Sequence, residues 1–291
     1  MSETQLLEFI VNGFVLGSLY VVMAIGLSLI FGMIGLVNFA HGVLYTLGAY
    51  GALVLKRHLG FWGGMTISPV LVGMIGMGIE ALFLRRMYRA APEIGLLFTF
   101  GLAMVLEQLV RMVWGPTGIP FDIPSLLFGS WSFGPFTYSR YRLFILLFSF
   151  LLIAGLWFFL QKTPYGMIIR AGSRDPEMVR ALGISLKPIF TFVFGLGVAL
   201  AALSGVLTAP LAGVQPAMGT NVGTAAFVVV TIGGLGSFWG AVVAGLLVGE
   251  VISLSILVWP PMAEASMYVL MIMVLLLRPR GLWGEKWERF D

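Results

Sequence analysis

The sequence predicts an all-α integral membrane protein, and its composition and the length of its apolar runs carry that prediction. Of its 291 residues, 59% are hydrophobic and 10% are charged, whereas a soluble domain carries roughly a quarter charged residues. The apolar runs approach the roughly 20 residues that a helix needs to cross a bilayer. They lack the short alternating pattern of barrel strands. We therefore expect a single transmembrane domain over residues 1–291.

The order of the apolar runs predicts about nine helical spans. Four lie within about 6–114, one connecting span lies at about 142–161, and four more lie within about 189–278. Basic clusters at Arg85–Arg89 and in residues 278–289 mark cytoplasmic ends, because cytoplasmic flanks are enriched in Lys and Arg. This count places the N-terminus outside. If the first apolar region crossed once rather than twice, there would be eight spans with the N-terminus inside.

Four spans on each side of one connecting span predict inverted repeats, an arrangement found in transporters built from broken helices. A weak sequence echo supports the repeat, since Gly17 aligns with Gly195 and Gly35 with Gly213 at one constant offset. Two interruptions of the apolar pattern, GMIGLVNFAHG and LAGVQPAMGTN, then fall at equivalent positions. We expect these interruptions to line a transport path.

Polar and small residues in and beside the interruptions are the candidate path residues. Asn38 and His41 lie in an apolar stretch, where polar groups must face protein or a water-filled cavity. Asn38 either offers its amide to a zwitterion or an amide substrate, or caps the helix that follows. His41 either contacts substrate or is a neutral side chain satisfied by a carbonyl. Gly42 fits a packing contact better than a ligand, and Pro216 breaks the backbone and frees carbonyl groups. The full candidate set is Asn38, His41, Gly42, Tyr45, Pro216 and Gly219.

Residues 162–188 form the only long polar segment in the second half of the chain. Thr163 is suited to cap a first short helix that Gly172 ends, and Asp175 to cap a second that Gly183 ends. The second helix is expected to carry Met178, Val179 and Leu182 on one side. An amphipathic hairpin between two spans is suited to dock on a soluble partner, although it could equally be a solvated loop.

Three carboxylates fall within predicted spans. Glu80 can pair with Arg85 or Arg86, and Glu107 can pair with Arg111 one helical turn on. Glu250 has no such local partner, so a role at an interface with another chain is a hypothesis for it. Cysteine is absent and only two histidines are present, so we predict no metal site. The glycines at 233, 234 and 236 lack the lysine of a phosphate-binding loop and predict a tight turn.

In order along the chain, the motifs resemble the permease subunit of bacterial branched-chain amino acid ABC importers. The NFAHG segment and the terminal RPRGL are the specific parts of the resemblance. The matching stretches are GLSLIFGMIGLVNFAHGVLYTLGAY (26–50), TFGLAMVLEQLVRMVWG (99–115), TPYGMIIRAGSRDPEMVRALGI (163–184), AALSGVLTAPLAGVQPAMG (201–219), FVVVTIGGLGSFWGAVVAGLLVGE (227–250) and RPRGLWG (278–284).

The resemblance implies a multi-pass protein of the bacterial inner membrane that imports branched-chain amino acids by alternating access. It implies a second homologous permease, two ATPase subunits, and a periplasmic or lipid-anchored substrate-binding protein as partners. ATP and Mg would bind the ATPases, and this chain would bind no cofactor and carry no catalytic residue. Membrane lipid is the remaining partner; the net charge of +4 reflects cytoplasmic flanks and not nucleic-acid binding. The segment 162–188 becomes the coupling element, with contact residues Arg170, Ala171, Gly172, Asp175, Met178, Leu182 and Gly183.

Other functions stay open at this point. A closely related permease type carries urea or short-chain amides. A stand-alone channel or gradient-driven transporter would give the amphipathic hairpin no purpose, and a membrane enzyme would need clustered His, Asp or Glu.

Overall fold

The chain folds into ten α-helices and one β-hairpin within the residues that the computed structural model describes, 3–88, 90–133 and 136–284. Arg89, Lys286 and Arg289, which were among the basic residues used to predict the cytoplasmic side, lie outside the described residues. The helices are α1 (Glu3–Ile34), α2 (His41–Leu82), α3 (Pro92–Trp114), α4 (Arg140–Lys162), α5 (Pro164–Arg174), α6 (Pro176–Ala181), α7 (Leu186–Ala212), α8 (Met218–Gly233), α9 (Phe238–Val258) and α10 (Ala263–Leu277), and the antiparallel strands are β1 (Ser130–Phe133) and β2 (Phe136–Ser139).

Seven helical stretches among the described residues are long and apolar enough to cross a membrane. A further apolar helix, α8, is shorter, with 16 residues. The seven stretches are Glu3–Ile34, His41–Met87, Glu93–Trp114, Arg140–Lys162, Leu186–Ala212, Phe238–Val258 and Pro260–Leu277.

The long helix α2 is a folded hairpin of two antiparallel arms, residues 41–59 and 61–82. Gly60 joins them with a φ of 68°, a conformation that residues with a Cβ adopt at a steric cost. The Ser68 hydroxyl donates to the Gly48 carbonyl at 2.7 Å, a contact that a straight helix could not make across 20 residues. With α2 counted as two arms and the shorter α8 included, the described chain has the nine helical rods that the sequence predicts.

Contacts between a helix and a connecting segment define the two ends of the bundle. At one end, the Lys56 ammonium lies 3.1 Å from the Asp122 carboxylate. At the other end, the Tyr88 ring packs edge-on against Phe190 with centroids 5.8 Å apart. Arg85 and the hairpin 162–188 lie at the Tyr88 end, so the positive-inside rule assigns that end to the cytoplasm.

The loop between α3 and α4 contains the two-stranded hairpin, which sequence analysis did not predict. Trp131 pairs with Tyr138 across the strands. The Tyr138 hydroxyl donates to Asn12 Oδ1 at 2.7 Å, which ties the hairpin to α1. Alternating serine and aromatic residues favour strands, and four residues per strand were too short to stand out beside the apolar runs.

Helices α1 and α7 cross in an antiparallel pair whose contacts repeat about a pseudo-two-fold axis. A Cβ on Gly26 would lie 2.4 Å from the Gly197 carbonyl oxygen. The Ser204 hydroxyl donates to the Leu19 carbonyl at 3.0 Å. The offset that aligns Gly17 with Gly195 also aligns Gly26 with Ser204 and Leu19 with Gly197. The two contacts therefore join equivalent positions of the two halves. This pairing supports the inverted repeat, whose boundaries at 6–114 and 189–278 stay a prediction.

Candidate functional site

The first arm of α2 begins inside the bundle and not at its surface. After α1 ends at Ile34, Gly35 takes a φ of 75° and its N–H bonds the Phe31 carbonyl at 2.7 Å. The chain then turns back, and the His41 Nε2 lies 3.2 Å from the Met23 carbonyl oxygen. At a rise of 1.5 Å per residue, Met23 is about 16 Å from the inner end of α1.

Helix α8 begins in an equivalent way from the opposite end. Gly213 takes a φ of 74°, and its N–H bonds the Ala209 carbonyl at 2.9 Å. A Cβ on Gly42 would lie 2.2 Å from the Gly219 oxygen, and a Cβ on Gly219 would lie 2.0 Å from the Gly42 oxygen. The N-terminal turns of the first arm of α2 and of α8 therefore touch backbone to backbone within the bundle.

Two helix N-termini at one place create a region of positive potential. Neither helix has an acidic residue in its first turn. The carbonyl oxygen of the Asn38 side chain accepts from the Ala40 N–H at 3.1 Å, which satisfies one local donor. Broken helices in transporters direct such N-termini at anionic substrate groups.

The structure brings the six predicted path residues close to this junction and buries all of them. Asn38 is 3% exposed and His41 is 2% exposed. Asn38 does not cap α2, whose N-cap is Ala40. Its oxygen accepts from the Ala40 N–H, whereas its Nδ2 has no hydrogen-bond partner among the described residues. His41 is held by a carbonyl, as the second alternative predicted. Gly42 and Gly219 are packing contacts; a substrate contact by any of the six stays a prediction.

Side-chain contacts between α3 and α8, which sequence reasoning missed, border the junction, and we call the surface along these contacts the α3–α8 groove. It contains two sets of contacts at different heights, which we call the polar rung and the aromatic rung. In the polar rung, the Thr220 hydroxyl donates to Glu107 Oε2 at 2.9 Å, and Arg111 Nη2 donates to Glu107 Oε1 at 2.6 Å. In the aromatic rung, the Phe39 ring lies 6.4 Å from Phe100 and 6.1 Å from Phe227, measured between centroids. The pairing of Glu107 with Arg111 was predicted; its link to α8 was not.

The cytoplasmic hairpin is formed by α5 and α6, and its predicted caps are present. The Thr163 hydroxyl accepts from the Gly166 N–H at 3.1 Å, and Asp175 Oδ1 accepts from the Met178 N–H at 2.9 Å. Gly183 ends α6 with a φ of 80°. The prediction that Gly172 ends α5 is wrong. The helix continues to Arg174, and Gly172 is buried where a Cβ would lie 3.1 Å from Leu186 Cδ2.

The hairpin presents apolar side chains to the cytoplasm. Met178 is 59% exposed and Leu182 is 71% exposed, whereas Val179 is 3% exposed and faces the bundle. The predicted shared face therefore holds for Met178 and Leu182 and is wrong for Val179. Ala171 is exposed, and half-buried Arg170 bonds Gln161. A cavity of about 900 Å³ lies behind α5, among residues of α1, α4 and the loop before α9.

The Glu80 carboxylate joins the second arm of α2 to α7 at the cytoplasmic end. It is fully buried and receives Arg85 Nη2 at 2.9 Å, the Tyr88 hydroxyl at 2.6 Å and the Thr191 hydroxyl at 2.6 Å. The predicted Glu80–Arg85 pair is confirmed. Burial, and to a smaller extent the hydrogen bond to Glu80, raise the pKa of Tyr88. Glu250 is half-buried and lies against Gly13, where a Cβ would be 2.6 Å from its carboxyl carbon; its role at an interface with another chain stays a prediction.

A family model described as "Branched-chain amino acid transport system / permease component" matches residues 9–277. The chain belongs to this family of permeases. It is 31% identical to the high-affinity branched-chain amino acid transport system permease protein BraD of Pseudomonas aeruginosa, over 96% of each chain. It is 30% identical to the corresponding permease protein LivH of Escherichia coli, over 98% of each chain. No solved structure matches.

Permease LivM of the Escherichia coli system is also similar, with 28% identity over 91% of this chain and 67% of LivM. Thus the chain is similar to two permease proteins of one organism. Family membership and the seven apolar helical stretches identify a multi-pass protein of the inner membrane.

Proposed function

We propose that this permease imports branched-chain amino acids as one of two homologous permease subunits, with two ATPase subunits bound at its cytoplasmic end. A periplasmic or lipid-anchored binding protein delivers the substrate, and alternating access moves it across. ATP and Mg bind the ATPases, and this chain contributes no cofactor. Similarity to both LivH and LivM supports the second permease.

The packing of the hairpin against the two helices that precede the breaks is the observation that carries the proposal. A Cβ on Gly172 would meet Leu186 at the start of α7 and lie 3.5 Å from Met33 Cε at the end of α1. A push on the exposed surface of Met178 and Leu182 would therefore reach both helices. Both lead into interruptions that end at the Gly42–Gly219 junction, so a hairpin movement can change the junction's access.

Purification from the native membrane in mild detergent, followed by identification of the copurifying chains, tests the assembly. Two ATPases and a second permease are expected. The assembly is then reconstituted in proteoliposomes, and ATP-dependent uptake of L-leucine is compared with that of urea. Uptake of urea without leucine would replace the proposed substrate class, and flux without ATP or partner chains would support a channel.

A further inference from the structure

The α3–α8 groove is defined by Phe39, Phe100, Glu107, Arg111, Thr220 and Phe227, and it carries charge where a membrane protein would otherwise face lipid. Glu107 and Arg111 lie within the apolar stretch Glu93–Trp114, and their side chains are 24% and 40% exposed. Thr220, Asn221 and Thr224 are exposed on α8. Polar groups within a span face protein or a water-filled path, because hydrocarbon cannot satisfy them.

The two rungs of the groove are the same distance apart on both helices. Phe100 precedes Glu107 by about two turns of α3, and Phe227 follows Thr220 by about two turns of α8, or about 10 Å on each helix. Phe39 closes the groove from the segment that leads into α2, and its N–H donates to the Thr99 hydroxyl on α3 at 3.3 Å. The groove therefore has a polar end towards the outside and an aromatic end towards the cytoplasm.

The polar rung is complementary to a zwitterion. A carboxylate can receive an α-ammonium group, and a guanidinium can bind an α-carboxylate through two parallel hydrogen bonds. Glu107 and Arg111 now bind each other, and a zwitterion can replace both halves of that pair without leaving either charge unpaired. Thr220 adds a hydroxyl beside Glu107.

The aromatic rung is suited to an aliphatic side chain. Phe39 is 46% exposed and Phe100 is 55% exposed, so their rings offer apolar surface next to the polar rung. Burial of a branched side chain on such a surface is favourable. Urea and short amides lack both the charges and the aliphatic group.

The groove also adjoins the junction described above. A Cβ on Gly223 of α8 would lie 3.1 Å from the Gly42 Cα. A ligand in the groove therefore lies beside the two helix N-termini. It also lies on the side of α8 where Thr220 and Thr224 are exposed.

We propose that the α3–α8 groove binds the transported amino acid, with Glu107 and Thr220 at its ammonium, Arg111 at its carboxylate, and Phe39, Phe100 and Phe227 around its aliphatic side chain. This inference rests on the proposed import function and adds where the substrate is recognised.

Thiol labelling tests whether the groove is an aqueous binding site, because the chain has no cysteine of its own. Thr224→Cys lies in the groove. The control is Met112→Cys, which lies about 140° around α3 from Glu107 and therefore on another face of that helix. A membrane-impermeant thiol reagent is expected to label Thr224→Cys at least tenfold faster in the reconstituted transporter. Saturating L-leucine should slow this labelling, whereas N-acetyl-leucine and leucinamide, which lack one charge each, should not. Equal labelling of the two variants, or protection by neither leucine nor its analogues, would overturn the proposal and indicate lipid or the second permease in the groove.

Uptake by Glu107→Gln separates a failure of this site from a failure of the proposed function. The wild-type assembly must import leucine with ATP; if it does not, the import function is wrong whatever the groove does. If it does, Glu107→Gln should lower leucine uptake at least tenfold, with ATP hydrolysis kept within about twofold. Asp122→Asn, which removes the exposed ion pair with Lys56, is the matched control and should leave uptake unchanged. Normal leucine uptake by Glu107→Gln would refute the site.

Discussion

Gly42 and Gly219 pack so closely that each occupies the space in which the other would place a side chain. Their hypothetical Cβ atoms lie 2.2 Å and 2.0 Å from the partner's carbonyl oxygen. These distances leave no room for a methyl group on either residue. The contact fixes the position at which the first arm of α2 meets α8.

Gly219→Ala is expected to destabilise the fold and lower transport strongly, because backbone atoms, unlike a flexible side chain, cannot move aside cheaply. The melting temperature of the purified protein should fall by several degrees. Gly78→Ala is the matched control, since a Cβ there would meet nothing within 4 Å. A Gly219→Ala protein as stable as Gly78→Ala would mean that α8 can shift away from α2.

Removal of Glu80 should be among the most damaging single changes at the cytoplasmic end. Glu80→Ala leaves Arg85, Tyr88 and Thr191 without their shared acceptor. Because the Arg85 side chain is 34% exposed, the cost should be below the roughly 3–5 kcal/mol of breaking a fully buried pair. Denaturant or thermal unfolding measures the loss. Asp122→Asn, whose carboxylate is 89% exposed, should change stability by less than about 1 kcal/mol. Similar losses for the two variants would contradict the network described for Glu80.

The exposed apolar residues of the hairpin should be needed for coupling and not for folding. Met178→Ala combined with Leu182→Ala removes the docking surface, so ATPase copurification and ATP-driven uptake should fall while the melting temperature holds. Val105→Ala combined with Met112→Ala removes comparable exposed apolar surface from α3 and should leave ATPase binding intact. Retained ATPase binding by the hairpin variant would exclude this surface as the docking site.

Asp175 should act through its capping bond. Asp175→Ala removes the acceptor of the Met178 N–H and should destabilise α6 by about 1 kcal/mol, whereas Asn caps about as well as Asp. We therefore expect coupled uptake to fall in Asp175→Ala and to persist in Asp175→Asn. Equal loss in both variants would show instead that the negative charge itself is required by the partner.

The parts of the fold set by local patterns could be predicted from the sequence. Apolar runs located the nine rods, and the Asp175 cap depended only on nearby residues. The end of α5 could not be predicted, because Gly172 is kept helical by close packing on Leu186, which is a tertiary contact. The groove could not be predicted either: the i,i+4 pair of Glu107 and Arg111 is local, but Thr220 lies 113 residues from Glu107. A single sequence contains no signal for that distance.

Helix α4 has a consequence for how the protein inserts into the membrane. Four rods return the chain to the side on which it began, so without a fifth the second half would enter in the same orientation as the first. Residues Arg140–Lys162 supply that fifth passage. A duplicated half joined to its copy without such a helix would give a parallel arrangement, in which the ends of α1 and α7 at Gly35 and Gly213 would lie on one face of the membrane. The single added helix places them on opposite faces, which is the arrangement that the proposed alternating access needs.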